Sequence, residues 1–227
     1  MSAKWQAAIA YTLNERIEGA YSDHPADAGG RTIFGITEKW NAEAFTTVHR
    51  LYLSGEREAA KLAAVQWYRR NFWEARPFDA INDTEIAVKC FDMHVNMAFS
   101  TAGRIVQKAC NRITWDYEVA LTEDGHVGAL TVGRINDITR RYRDALVGAL
   151  CGEQYTHYIL RGHQNASQRA FWRGWIARSL PPFYLLPKAN TATAQPSNIE
   201  VYRSLSERID KAQSIIDKIL KTLGERK

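Results

Sequence analysis

Glu18-Gly19-Ala20-Tyr21-Ser22-Asp23-His24-Pro25-Ala26-Asp27-Ala28-Gly29-Gly30-Arg31-Thr32-Ile33-Phe34-Gly35-Ile36-Thr37 is the stretch on which the reading of the fold turns. Five helix breakers, Gly19, Pro25, Gly29, Gly30 and Gly35, rule out a helix here and predict an irregular loop or small hairpin. Any β-structure is expected around Thr32 to Ile36. Upstream, Trp5, Ile9, Leu13 and Ile17 recur every four residues, which predicts an amphipathic first helix ending near Glu18-Gly19.

Downstream the pattern is helical. Helices are expected over 37–46 and 55–72, the latter with Leu62, Val65, Trp67, Tyr68 and Phe72 on its apolar stripe and alanines supporting it. Residues 84–111 read as one long helix or two, with a break at Asn96 to Ser100. Further helices fit 114–121, 137–160 and 167–179, with a turn at Asp124-Gly125-His126-Val127-Gly128 and a stop at Pro181-Pro182. Residues 187–198 are small, polar and proline-flanked, a linker. The last segment, 199–227, reads as an amphipathic helix for a second copy, a membrane surface or the body. Periodicity alone therefore gives a mainly α multi-helix body with a small loop or hairpin after helix one.

The 227 residues are 45% hydrophobic and 24% charged, apolar enough for one well-buried core or two small ones and not disordered as a whole. Apolar runs such as Ile86 to Val88 fall far short of the roughly 20 residues that cross a bilayer. No signal peptide is visible at the amino end, and Cys90, Cys110 and Cys151 lack CxxC spacing. Synthesis in a reducing cytoplasm and buried free thiols are expected. The net charge of +5 is spread thinly, without the basic block of a nucleic-acid binder.

The chemistry-bearing residues crowd into the same loop. Glu18, at the negative end of the predicted first helix and partly buried, is expected to have a raised pKa, which suits a general acid. Asp27 lies nine positions on and can return across a cleft if the chain turns at Pro25. An acid plus a second carboxylate or polar group is what glycosidic cleavage needs. On spacing alone, Glu18 capping a surface helix and Asp27 in a turn is the stronger reading. Asp23, His24 and Asp27 lack a second histidine at helical spacing, so no metal and no cofactor are expected. His94 reads as a core histidine, and Trp5, Trp67 and Trp73 as core aromatics. Tyr21, Trp40 and Tyr117, beside loops, are the candidates for stacking on sugar rings. Arg140, Arg141 and Arg143 read as a solvated helix face.

The stretch resembles the signature of glycoside hydrolase family 108, lysozyme-like N-acetylmuramidases of phage endolysins and secretion-associated enzymes. That signature is Glu-Gly-Gly-Tyr followed by Asp-x-Gly-Gly-x-Thr-x-x-Gly-Ile-Thr. Here Glu18-Gly19-Ala20-Tyr21 departs from it at Ala20, while Asp27 to Thr37 matches throughout. Trp67-Tyr68-Arg69-Arg70-Asn71-Phe72-Trp73 is similar to the family's Tyr-Arg-Arg-x-Tyr-Trp segment, and His94-Val95-Asn96-Met97 to its Val-Asn turn. Asp124-Gly125-His126-Val127-Gly128-Ala129-Leu130-Thr131 and Arg173-Gly174-Trp175-Ile176-Ala177-Arg178 resemble its C-terminal peptidoglycan-binding region.

The resemblance implies a lysozyme-like α+β fold, with a catalytic region over 1–89 and a peptidoglycan-binding region over 90–182. Asn111 to Trp115 offers no real linker, which allows the two to pack as one body. It further implies Glu18 as the acid, Asp27 and Thr32 as further catalytic candidates, and Tyr21 and Asn96 as substrate-binding candidates. The expected partner is bacterial peptidoglycan, reached in the periplasm or wall through a holin or secretion machine. A lytic transglycosylase using Glu18, or a non-catalytic wall-binding or secretion-accessory protein, are the alternatives.

Overall fold

A computed structural model describes residues 2–14, 21–23, 29–113 and 119–182. The chain divides into two units, Met1–Pro187 and Lys188–Lys227, and every described residue belongs to the first. The linker expected at 187–198 and the helix expected at 199–227 lie outside the described residues. Among those described the architecture is mainly α, consistent with a lysozyme-like fold, with seven α-helices and a small antiparallel sheet after the first.

Helix α1 (Ala3–Thr12) begins where Ser2 Oγ accepts the backbone N–H of Trp5 at 3.2 Å. It buries Trp5, Ala8, Tyr11 and Thr12. Those spacings of three and four follow the helical period, whereas Ile9 of the predicted stripe is only half-buried. The helix closes at Thr12, six residues before Glu18, with Leu13 leaving helical geometry at ψ 17. This corrects the expected end near Glu18-Gly19.

The sheet follows, in the order β1 (Tyr21–Ser22), β2 (Thr32–Ile33), β3 (Ile36–Thr37). Phe34 and Gly35 connect β2 to β3 with φ of 48° and 77°, the mirror-image turn that matches strand twist. Gly35 adopts this freely; Phe34 does so against its Cβ. The Tyr68 hydroxyl donates to the Phe34 carbonyl at 2.9 Å, and the Phe34 ring meets Tyr52 edge-on at 6.1 Å, which together hold the strained residue.

Because Ile36–Thr37 is a strand, the helix expected over 37–46 starts later, as α2 (Ala42–Leu53). Helix α3 (Arg57–Tyr68) runs into a π-helical turn, Arg69–Trp73, so the expected 55–72 helix changes register near its end. A 3-10 turn (Phe78–Ala80) leads to α4 (Thr84–Asn96), capped by the Asp83 carboxylate on the Ile86 N–H at 3.0 Å. The chain turns extended at Met97 before α5 (Phe99–Asn111), the break expected between 96 and 100.

Helix α6 (Ala129–Gln164) is longer than the expected 137–160 and kinks at Tyr142. A 3-10 turn (Ala166–Phe171) and α7 (Trp172–Ser179) fill the expected 167–179. Residues 119–121 are not helical, contrary to the helix expected over 114–121, and 114–118 lie outside the described residues.

Helix α4 organises the core. Every residue from Glu85 to His94 is buried, and Trp5, Trp73 and Phe78 cluster around its Phe91 with neighbouring ring centroids 5.4 to 5.9 Å apart. It runs unbroken across residue 89. Cys90 and Cys110 are buried, Cys151 is half-buried, and all three are free. The turn at Asp124 to Gly128 is tied to α5 by Gln107, whose Nε2 donates to Asp124 Oδ1 at 2.7 Å and whose Oε1 accepts the Gly125 N–H at 2.8 Å. Backbone approach is so close there that a Cβ on Gly103 would lie 2.0 Å from the Gly125 carbonyl oxygen.

Candidate functional site

Glu18 and Asp27, the two carboxylates singled out from sequence, lie outside the described residues, as do Ala20, His24 and Tyr117. Thr32, Tyr21 and Asn96 are described. Thr32 sits on the central strand, paired with Ser22 on one side and Thr37 on the other. Directly opposed residues of antiparallel strands share a face, so three hydroxyl side chains form a row across the sheet. Ile33 and Ile36, on the opposite face, are fully buried and fix which side looks inward. Thr32 Oγ1 is half-buried and 3.3 Å from the Gly30 carbonyl, and the Asn41 amide donates to Thr37 Oγ1 at 3.3 Å.

Tyr21 stands on the edge strand, 42% exposed. Its ring stacks on His49 at 6.0 Å and on Tyr52 at 6.4 Å, both from α2. Phe45 continues the row, stacked on His49 at 5.0 Å, and the Arg31 and Arg57 guanidiniums lie over Phe45 and Tyr52 at 5.5 and 5.2 Å. An exposed ring braced this way offers a pre-organised apolar face with little entropy left to lose.

The sequence reading passed over Glu38, the carboxylate at the end of the hairpin. Arg31 donates to it from Nε at 2.8 Å and from Nη2 at 2.6 Å. Those hydrogen bonds hold Glu38 below the usual carboxylate range and raise Arg31. A carboxylate kept ionised this way cannot act as a general acid near neutrality. Its role is to fasten the hairpin, where the Glu38 N–H already reaches the Arg31 carbonyl at 2.8 Å.

Asn96 serves a different part of the molecule. Its Oδ1 accepts from the Tyr158 hydroxyl at 2.7 Å, and the Gln154 amide donates to that same hydroxyl at 2.9 Å. Tyr158 in turn stacks on Trp175 at 5.1 Å. Asn96 thus pins the end of α4 to α6 and to the Arg173-Gly174-Trp175 segment. No hydrogen bond among the described residues joins it to Thr32 or Tyr21. His94, as expected, belongs to the core: its Nδ1 lies 2.7 Å from the Cys90 carbonyl, an acceptor, so this nitrogen carries the proton. Burial pushes its pKa down to about 4.

A set of buried charges was not legible as such. Asp92 and Arg178 meet at 2.9 Å, and Lys89 Nζ donates to the carbonyls of Arg178 and Leu180, both at 2.9 Å. Burial raises the Asp92 carboxyl, while Arg178 and Lys89 oppose the shift. A raised carboxyl is one mark of a catalytic acid, but Asp92 is enclosed and ion-paired, and its partners tie down the end of α7. Arg143 also departs from expectation. Rather than lining a solvated face, it binds Asp83, Glu85 and Asp144 at 2.8, 2.6 and 3.0 Å. Among the described residues there is no group of three histidine, cysteine, aspartate or glutamate side chains that could hold a metal ion.

Residues 11–98 match the family model Glycosyl hydrolase 108. The matched stretch runs from the end of α1 through the sheet, α2, α3 and α4, and includes Glu18, Tyr21, Asp27, Thr32 and Asn96. It supports a glycosyl hydrolase. The segments at 124–131 and 173–178 fall beyond it. No curated protein matches the chain.

Proposed function

We propose that this protein is a peptidoglycan hydrolase of the N-acetylmuramidase type. It cleaves the β-1,4 bond between N-acetylmuramic acid and N-acetylglucosamine. The observation that carries this reading is that the Glycosyl hydrolase 108 match spans Glu18 together with the hairpin bearing the Ser22, Thr32 and Thr37 row.

In this mechanism Glu18 donates its proton to the bridging oxygen as the bond from that oxygen to C1 of N-acetylmuramic acid breaks. A water held at the Thr32 hydroxyl adds to C1 and gives up its proton to Asp27. Tyr21, braced by His49 and Tyr52, presents its ring to a pyranose. Glu38 takes no part in proton transfer, because Arg31 occupies both its oxygens.

Purified peptidoglycan digested by the full chain, with the soluble fragments reduced and weighed by mass spectrometry, tests the reading. Fragments ending in reducible muramic acid are expected. Anhydro-muramic ends would replace hydrolysis by transglycosylation at the same glutamate. Absence of fragments with retained sacculus binding would leave a wall-binding protein.

A further inference from the structure

Helix α2 has a second face. Phe45, His49 and Tyr52 turn toward Tyr21, while Ala44, Thr47 and Val48, roughly 100° around the helix, line a groove of about 550 Å³ against α3 and the π-turn. That volume falls among ligand pockets, roughly 300–1,000 Å³. Two indoles shape it: Trp67 on the wall, half-buried and packed on Tyr68 and Phe72 at 4.9 and 5.3 Å, and Trp40 on the rim, 66% exposed. The Lys39 ammonium lies 4.9 Å from the Trp40 ring.

Asn41, Thr47 and Asn71 of the lining are hydrogen-bonded within the protein, but three longer polar side chains are not. Glu43, Gln66 and Arg70 face the groove and are exposed, and none of their side chains makes a hydrogen bond or ion pair among the described residues. Arg70 and Asn71, which complete this wall, lie in the π-turn at Arg69–Trp73. Extra residues in a helical turn strain the ladder and recur at functional sites. Paired indoles suit the apolar faces of sugar rings. An amide, a guanidinium and a carboxylate together supply the donors and acceptors that hydroxyl and acetamido groups require.

We infer that this groove is a binding site for a β-1,4-linked chain of N-acetylated hexosamines, with Trp40 stacking on a ring and Arg70 and Gln66 bonding its polar substituents. It gives the protein a hold on a glycan strand along a face of α2 other than the one that braces Tyr21. The inference rests on the glycan specificity proposed above, yet it does not require that the protein cleave what it binds.

The test is calorimetric titration of chitohexaose into the full chain carrying Glu18→Gln, with Trp40→Ala and Arg70→Ala added singly. Both side chains are exposed, so the variants should fold, which circular dichroism checks. The dissociation constant should rise roughly fivefold to tenfold in each, with Trp40→Phe recovering most of the affinity. Affinity within twofold of the parent in both variants, or no chitohexaose binding by the parent, would overturn the site. If the wild type fails to digest peptidoglycan while Trp40→Ala still weakens chitohexaose binding, the hydrolase reading falls and the site stands.

Discussion

Around α4, Asp92 and Arg178 meet at 2.9 Å with 0% and 6% of their side chains exposed, whereas on the hairpin Arg31 and Glu38 meet at 2.6 Å with 40% and 41% exposed. The bonds are chemically alike, but their surroundings differ. At Asp92 and Arg178 charge is dry, and removing one partner strands the other away from water. On the hairpin, water can replace either partner. The body is therefore the part that cannot tolerate change. The hairpin and the exposed side chains of α2 and α3 can be spent on a ligand.

The contrast breaks first, if it breaks, at Asp92. Asp92→Ala should cost roughly 3–5 kcal/mol, the usual effect of leaving a buried charge unpaired, read from the urea midpoint. A loss no larger than that of a surface substitution would mean that Arg178 finds water after all.

Acid should act on the body next. Unfolded, His94 takes a proton near its ordinary 6.5, while folded it does so only near 4. Between those values the unfolded chain holds the extra proton, so stability falls as pH drops through this window, by on the order of 3 kcal/mol in all. His94→Phe, which suits a site beside Phe78 and Phe99, should lack that part of the pH dependence. Equal slopes in variant and wild type would show that acid reaches the body through other groups.

Gly103→Ala sharpens the comparison within the body. Its Cβ would collide with the Gly125 carbonyl, and overpacking of this kind costs roughly 1–3 kcal/mol, with the thermal midpoint falling accordingly. The smallest effect is expected on the hairpin. Glu38→Gln should leave the urea midpoint nearly unchanged, because both partners remain solvated, and a large drop there would erase the distinction between the two regions.

Much of this organisation can be read from sequence where a local rule has no competitor. The break between α4 and α5 and the Asp124 to Gly128 turn are set by nearby residues, and both are found where the pattern puts them. The start of α2 is hidden from a local pattern because Thr37 to Trp40 is consumed by a strand and turn whose partners lie upstream, at Gly29, Arg31 and Thr32. The early end of α1 escaped because Leu13 and Ile17 prolong an apolar repeat past the last helical residue.

Near the candidate site, the strand at Thr32 was legible through the glycine-rich stretch. The Arg31 and Glu38 pair, the bond between Asn96 and Tyr158 and the α2 groove were not, since each depends on side chains meeting across a turn or between helices. Asp92 and Lys89, three apart in an otherwise apolar run, were the one available sign of a buried charge cluster.

The most direct measurement is the initial rate of peptidoglycan digestion by Glu18→Gln beside that of wild type, with matched circular dichroism and chitohexaose affinity to show an intact fold and glycan contact. Loss of a general acid predicts a fall of roughly 10²–10⁴-fold. A variant that digests at the wild-type rate would contradict Glu18 as the proton donor, and with it the proposed chemistry of the Glu18 to Thr37 stretch.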